Sequence, residues 1–153
     1  MELFTGYGLD YLFRWLHMLA GVTWIGLLYY FNFVQTEYFK EAEPDHKAGA
    51  IQKLVPRALW WFRWGAMVTF LSGVALLSYR HNVLTYAIVV GSLLATIMFL
   101  NVWLVIWPNQ KIVVASALQV ADGGEAIPEA ADSLAKAGLA SRTNTLFSLP
   151  MLW

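Results

Sequence analysis

The chain has 153 residues, of which 59% are hydrophobic and 13% charged, and its basic and acidic side chains cancel to zero net charge. Soluble domains carry about 25% charged residues, so this apolar excess points to lipid rather than water as the solvent. The neutral balance excludes a polycationic nucleic-acid surface, and the lack of cysteine excludes disulfides, thiolate metal sites and cysteine nucleophiles.

The opening, MELFTGYGLDYLFRW, has no basic cluster after Met1 and carries Glu2 and Asp10, unlike a cleaved leader. The first apolar stretch, Tyr11–Phe33, is therefore expected to remain as a membrane span of about 20 residues. Arg14 sits near its start, where a long side chain can snorkel to the interface. His17, Gly21, Trp24 and Leu28 follow at helical spacing and share one face. A polar side chain in hydrocarbon is costly and usually faces a bundle interior. His17 has three readings: ligand to a metal or haem iron, carrier of protons or substrate contact, and hydrogen-bond partner to a neighbouring helix. Gly21, one turn beyond, leaves a gap that a planar cofactor such as haem b or the backbone of another helix can fill.

The following segment, QTEYFKEAEPDHKAGAIQKLVP, reads as wet and partly helical, with Glu37, Glu41, Glu43, Asp45 and His46 on a solvated face. A second span is expected over Leu59–Tyr79, with Gly65, Ser72 and Gly73 as small contact points. Trp60, Trp61 and Trp64 suit an interface. Arg63 among them either snorkels or turns inward to neutralise an anionic ligand. Only RHNV separates this span from the third, Leu84–Trp107, so the two form a tight antiparallel hairpin. His81 in that connection reads as a turn residue, or as a second haem ligand if the helices are offset.

The third span carries no charge but holds Asn101, which either bonds across helices or lines a path, with Asn32 as one conceivable neighbour. Gly91 and Ala95 offer a small-residue pair, and Trp103 and Trp107 suit an interfacial belt. Pro108 is expected to end the run. Amphipathic helices are expected over 108–122, stopped by Gly123 and Gly124, and over 128–141. The apolar stretch 145–153 is too short to cross a bilayer, and reads as an interfacial foot or the opening of a fourth span. The fold class is thus an all-α integral membrane protein, with three full spans, cytoplasmic amphipathic helices and this terminal stretch. Long unalternating apolar runs are not barrel strands.

Basic residues set the orientation. Lys40, Lys47, Lys53, Arg57, Lys111, Lys136 and Arg142 fall on one side, Arg14 and Arg80 on the other. The first group is expected in the cytoplasm, which puts the N-terminus in the periplasm of a bacterial inner membrane. The chain has no C-x-x-C-H haem attachment, no H-E-x-x-H, no Walker loop and no G-x-G-x-x-G fingerprint.

Three stretches, RWLHMLAGVTWIGLLYYFNFVQ, NVWLVIWPNQKIV and SRTNTLFSLPMLW, resemble the N-terminal membrane domain of the bacterial urate hydroxylase family. The matching positions are His17, Gly21, Trp24 and Gly26; Asn101, Trp103, Trp107, Pro108, Asn109 and Gln110; and Arg142, Asn144, Leu149 and Pro150. The resemblance implies a larger helical membrane domain, commonly followed by a c-type cytochrome domain. It also implies oxidation of urate to hydroxyisourate, with electrons passed to the respiratory chain. Against that pattern the given sequence covers about half of the membrane domain and no cytochrome, as expected either of a fragment or of a shortened relative recruited as a subunit of a larger complex. Two functions follow as expectations. One is a redox component that needs partner subunits such as a c-type cytochrome, with His17, Gly21 and Trp24 holding haem b and Arg63 and Asn101 as polar contacts. The other is an accessory subunit that packs against other integral membrane subunits and lipids without catalysis of its own.

Overall fold

The computed structural model describes residues 6–79 and 84–152. All described elements are helical, and no strand occurs among the described residues. Helix α1 (Gly6–Tyr29) continues through a π-helical segment, Tyr30–Gln35, into α2 (Thr36–Glu41). Short α3 (Pro44–Lys53) follows, then α4 (Val55–Tyr79). Helix α5 (Tyr86–Leu100) passes through a second π-helical segment, Asn101–Ile106, into α6 (Trp107–Ala121), and α7 (Ala130–Met151) closes the described chain. Arg80 and His81, expected to form the outer turn, lie outside the described residues.

Three boundaries differ from the sequence expectation, each for a local reason. The first helix starts at Gly6 and runs on to Glu41, well past Phe33. Hydropathy marks where lipid would end, whereas helix continuity needs only good helix formers and local pairs such as Lys40–Glu37 at 2.7 Å. Pro108 does not end the third run. Its ring would collide with the carbonyl four residues back in an α-helix. The π-helical winding just before it widens the backbone there, and the Trp107 N–H reaches back to the Val102 carbonyl. Finally, 128–141 and the apolar tail are one helix, α7. The intervening threonines satisfy their hydroxyls within the helix: Thr143 and Thr145 donate to the carbonyls of Leu139 and Ser141 at 3.0 and 3.1 Å. The expected Gly-Gly stop after α6 is present. Gly123 takes φ +84°, the left-handed conformation glycine adopts freely, and the Gly124 N–H closes on the Gln119 carbonyl at 2.9 Å.

Helices α1 and α4 pack antiparallel. Phe13 meets Tyr79 at one end and Phe31 meets Phe62 edge-on at the other, with ring centroids 6.0 and 5.5 Å apart. Between these ends Gly65 sits on the α1 backbone: a Cβ there would lie 3.3 Å from the Trp24 nitrogen and 3.4 Å from the Ala20 carbonyl oxygen. Trp24, Leu28, Phe62, Ala66, Met98 and Val102 form the core beside this contact. Helix α7 runs antiparallel to α5. Asn144 meets the Met98 carbonyl, and two turns further along a Cβ on Gly91 would lie 3.3 Å from the Met151 carbonyl oxygen.

Several polar side chains are buried beside the apolar core, and many large apolar ones face outward. Asn144, Ser148, Ser133 and Ser72 are buried, while Leu19, Val22, Leu71, Val74, Leu93, Leu104 and Leu149 are exposed. Two continuous helices, Tyr7–Glu41 and Tyr86–Ala121, are long and apolar enough to cross a membrane, and only 17% and 11% of their most apolar windows are buried within the chain. Helix α4 is not among those two. Its first half carries Arg57, Arg63 and three tryptophans, which lower its hydropathy.

Gly65→Leu is expected to push α1 and α4 apart, costing about 1–3 kcal/mol by overpacking. A fall in the thermal midpoint of the detergent-purified chain, read by loss of the monodisperse gel-filtration peak, measures this. Gly26→Leu, where nothing lies within 4 Å of the new Cβ, is expected to leave the midpoint unchanged.

Candidate functional site

The α1–α4 contact places His17 against the second half of α4. Its Nδ1 lies 3.1 Å from Ser72 Oγ. That hydroxyl has one proton and already donates to the Val68 carbonyl at 2.6 Å, with the Thr69 carbonyl at 3.1 Å. The serine can therefore only accept from the imidazole, so Nδ1 carries the proton and Nε2 does not. Nε2 has no hydrogen-bond partner among the described residues, yet it is not among the fully buried unpartnered atoms. It therefore keeps some exposure on a half-buried ring. Gly73 seats the ring: a Cβ at that position would lie 3.1 Å from the imidazole Cε1.

The other sequence-derived candidates fall at different places. Gly21 does face α4, but loosely, since its Cβ position is 3.9 Å from Thr69 Cγ2. Trp24 is 1% exposed in the core, and its indole Nε1 is buried with no partner. Arg63 does not snorkel freely, and it meets no acid among the described residues. Its guanidinium carbon lies 3.8 Å from the centroid of the Trp107 ring, and its Nε is buried and unpartnered. Asn101 donates from Nδ2 to Asn144 Oδ1 at 2.9 Å, and Asn144 Nδ2 donates to the Met98 carbonyl at 3.0 Å. Its partner is thus Asn144 on α7. Asn32 instead donates to the Leu28 carbonyl and to Ser141 Oγ, both at 2.8 Å. His17 gathers Gly73, Ser72 and Thr69 around it, while Arg63 and Asn101 belong to separate neighbourhoods.

Residues to which the sequence reading gave no structural role carry much of this, Asn144 being named there only as a position matching the resembled family. Asn144 is fully buried and Ser148 likewise. Ser148 gives its proton to the Thr145 carbonyl at 2.7 Å and so accepts from the Tyr29 hydroxyl at 2.8 Å. The available signal was the α7 stripe Ser133, Ala137, Ala140, Asn144 and Ser148, whose spacing marks one small, polar face. The segment's low hydropathy concealed it.

The chemistry open to His17 follows from its donors. An imidazole with Nδ1–H held and Nε2 bare suits one axial position of a haem iron, or a proton acceptor. No cluster of three or more His, Cys, Asp or Glu residues occurs among the described residues. Were a haem bound, His17 would hold it, and the group would supply one-electron chemistry.

This is an all-α chain with two helices long and apolar enough to cross a membrane, and with several polar side chains buried beside its apolar core. A family model described as urate oxidase N-terminal matches residues 82–153, the part that holds α5, α6 and α7; the match is partial and consistent with a distant family relationship. His17, Arg63 and their helices lie outside the matched residues. No curated protein and no solved structure matches the chain.

Asn101→Leu and Asn144→Leu are each expected to destabilise the chain. In a double-mutant cycle they should couple by about 0.6–1.7 kcal/mol, the range for hydrogen bonds between membrane helices. Thermal midpoints of the four species in one detergent give the coupling. Additive effects would mean that the two amides do not share a bond.

Proposed function

We propose that the chain is a multi-pass membrane component of a urate-hydroxylase-type redox system, working with partner subunits. In this reading α1, α4 and α5 cross the bacterial inner membrane, with the N-terminus in the periplasm. The C-terminal half of α7 enters the bilayer beside α5. The outward apolar surface and the one-sided basic residues support that placement. His17 would hold haem b through Nε2. The group would supply one-electron transfer, and a c-type cytochrome would be the downstream partner.

The observation that carries the redox reading is the protonation pattern at His17. Ser72 fixes the proton on Nδ1 and leaves Nε2 without a partner among the described residues. A bare ring nitrogen facing lipid would be costly, so a partner group is expected to meet it. The second reading, an accessory subunit, is favoured by another observation. Asn32, Asn101, Asn144 and Ser148 all spend their polar groups on interhelical bonds, as a packing element would.

Two experiments test these readings. The chain has no native cysteine, so single cysteines report topology directly. Tyr7→Cys is expected to react with an impermeant maleimide in intact spheroplasts, and Lys47→Cys only after permeabilisation. The reverse pattern would overturn the orientation. For the redox reading, the isolated membrane complex is expected to show a b-type reduced-minus-oxidised spectrum that His17→Ala abolishes. Ser72→Ala should weaken haem retention about 10–100-fold, the usual cost of removing a ligand's orienting bond. A complex without that spectrum while His17 is intact would leave the accessory reading standing.

A further inference from the structure

We propose that the basic, tryptophan-lined end of the bundle is a binding site for an anionic phospholipid, with Arg63 and Lys111 taking the headgroup phosphate. The two cations flank one ring: Arg63 Cζ lies 3.8 Å and Lys111 Nζ 5.7 Å from the Trp107 centroid. Neither has an acidic partner among the described residues. Arg63 Nε, moreover, is buried with a proton that nothing accepts. Cation–π contact orients both groups but does not neutralise them. Two positive charges beside one indole repel each other, and an anion that touches both removes the repulsion.

The surroundings select the kind of anion. Trp64 packs edge-on against Trp103 at 5.8 Å, and Trp60 packs against both Trp61 and Trp64. Trp61 and Leu104 are exposed by 60% and 68%. One turn along α4, Pro56, Arg57, Trp60 and Trp61 line a shallow cavity of about 380 Å³. The cations thus sit beside outward-facing apolar walls with a further arginine close by. A small soluble anion would leave those walls bare. A ligand with an anionic phosphate and an apolar body satisfies both, and Trp and Arg together are the side chains expected at headgroup depth.

This inference rests on the membrane placement proposed above and not on the cofactor at His17. The test uses the full chain purified in non-ionic detergent, with native mass spectrometry during titration with phosphatidylglycerol or phosphatidylcholine. Basic residues near an anionic surface contribute about fivefold each, so the wild type is expected to prefer phosphatidylglycerol by about 25-fold. Lys111→Gln, at an exposed position, should lower the preference about fivefold, and the Arg63→Gln, Lys111→Gln double variant should abolish it. Lys40→Gln should retain it, since that ammonium already bonds Glu37. Equal binding of the two lipids by the wild type would overturn the proposal, as would an unchanged preference in Lys111→Gln. Displacement of the lipid by millimolar glycerol phosphate would assign the site to a soluble anion and also overturn it. If the double variant does not fold, Lys111→Gln alone decides. Alkaline carbonate extraction separates the two levels: release of the chain from membranes overturns the placement itself, whereas a retained chain without lipid preference overturns only the site.

Discussion

The close approach of α1 to α4 at Gly65 determines where the polar chemistry of this chain can lie. With Trp24 N and Ala20 O only 3.3 and 3.4 Å from a would-be Cβ, any other residue at Gly65 meets the α1 backbone tightly, and a large one must part the helices. Seven residues separate Trp24 from His17 on α1, and seven separate Gly65 from Ser72 on α4. Seven residues are nearly two helical turns, so each pair keeps one face and the same axial distance. In an antiparallel pair that equality sets His17 level with Ser72. The hydrogen bond between them is a consequence of the glycine contact two turns away, and Gly73 then supplies the room the ring needs.

The same economy governs the interior. Each buried polar group of a bundle in lipid has to find its partner within the protein, because unpartnered groups cost several kcal/mol each. The second π-helical segment admits Pro108 without ending the helix, and just before it Asn144 donates to the carbonyl of Met98. Asn144 also accepts from Asn101, so one fully buried amide ties α7 to α5 and to the start of the π-helical segment. Near the first π-helical segment, Tyr29 and Asn32 reach Ser148 and Ser141. Helix α7 thus serves both irregular segments, and this explains why its buried face is serine, alanine and asparagine rather than leucine.

What the sequence made legible tracks what hydropathy and spacing encode. The all-helical class, the shared face of His17 and Trp24, the small contact points Gly65, Ser72 and Gly73, and the Gly123 stop all rest on local composition or period. The helix through Pro108 was not legible, since proline alone predicts a break and the π-helical winding that admits it has no sequence signature. The continuity of α7 was missed because Ser141, Arg142, Thr143, Asn144 and Thr145 look like a polar interruption between two segments. Their hydroxyls and amides bond back into the helix or across to neighbours, which no one-dimensional pattern records. The partner of Asn101 was missed for the same reason. Arg63 was placed between snorkelling and inward charge pairing, and its resting place on Trp107 depends on the register of α4 against α6.

The contrast between Asn101 and His17 shows how a structural polar residue differs from one available for chemistry. Two side chains of similar polarity sit on apolar helices. Asn101 meets another amide on α7, and the chain from Asn101 through Asn144 ends on a backbone carbonyl, so the buried amide is consumed within the fold. His17 meets a hydroxyl that has already given its proton away, so one ring nitrogen is used and the other is left without a partner among the described residues. Packing alone would favour closing that valence, because an apolar side chain of similar size would fill the Gly73 seat without the desolvation of an imidazole. In the membrane placement proposed above, a histidine held in one tautomer by a saturated serine, with its second nitrogen unpartnered, is therefore an arrangement whose cost folding does not recover. That unrecovered cost is the physical reason to look for function at His17 and for architecture at Asn101.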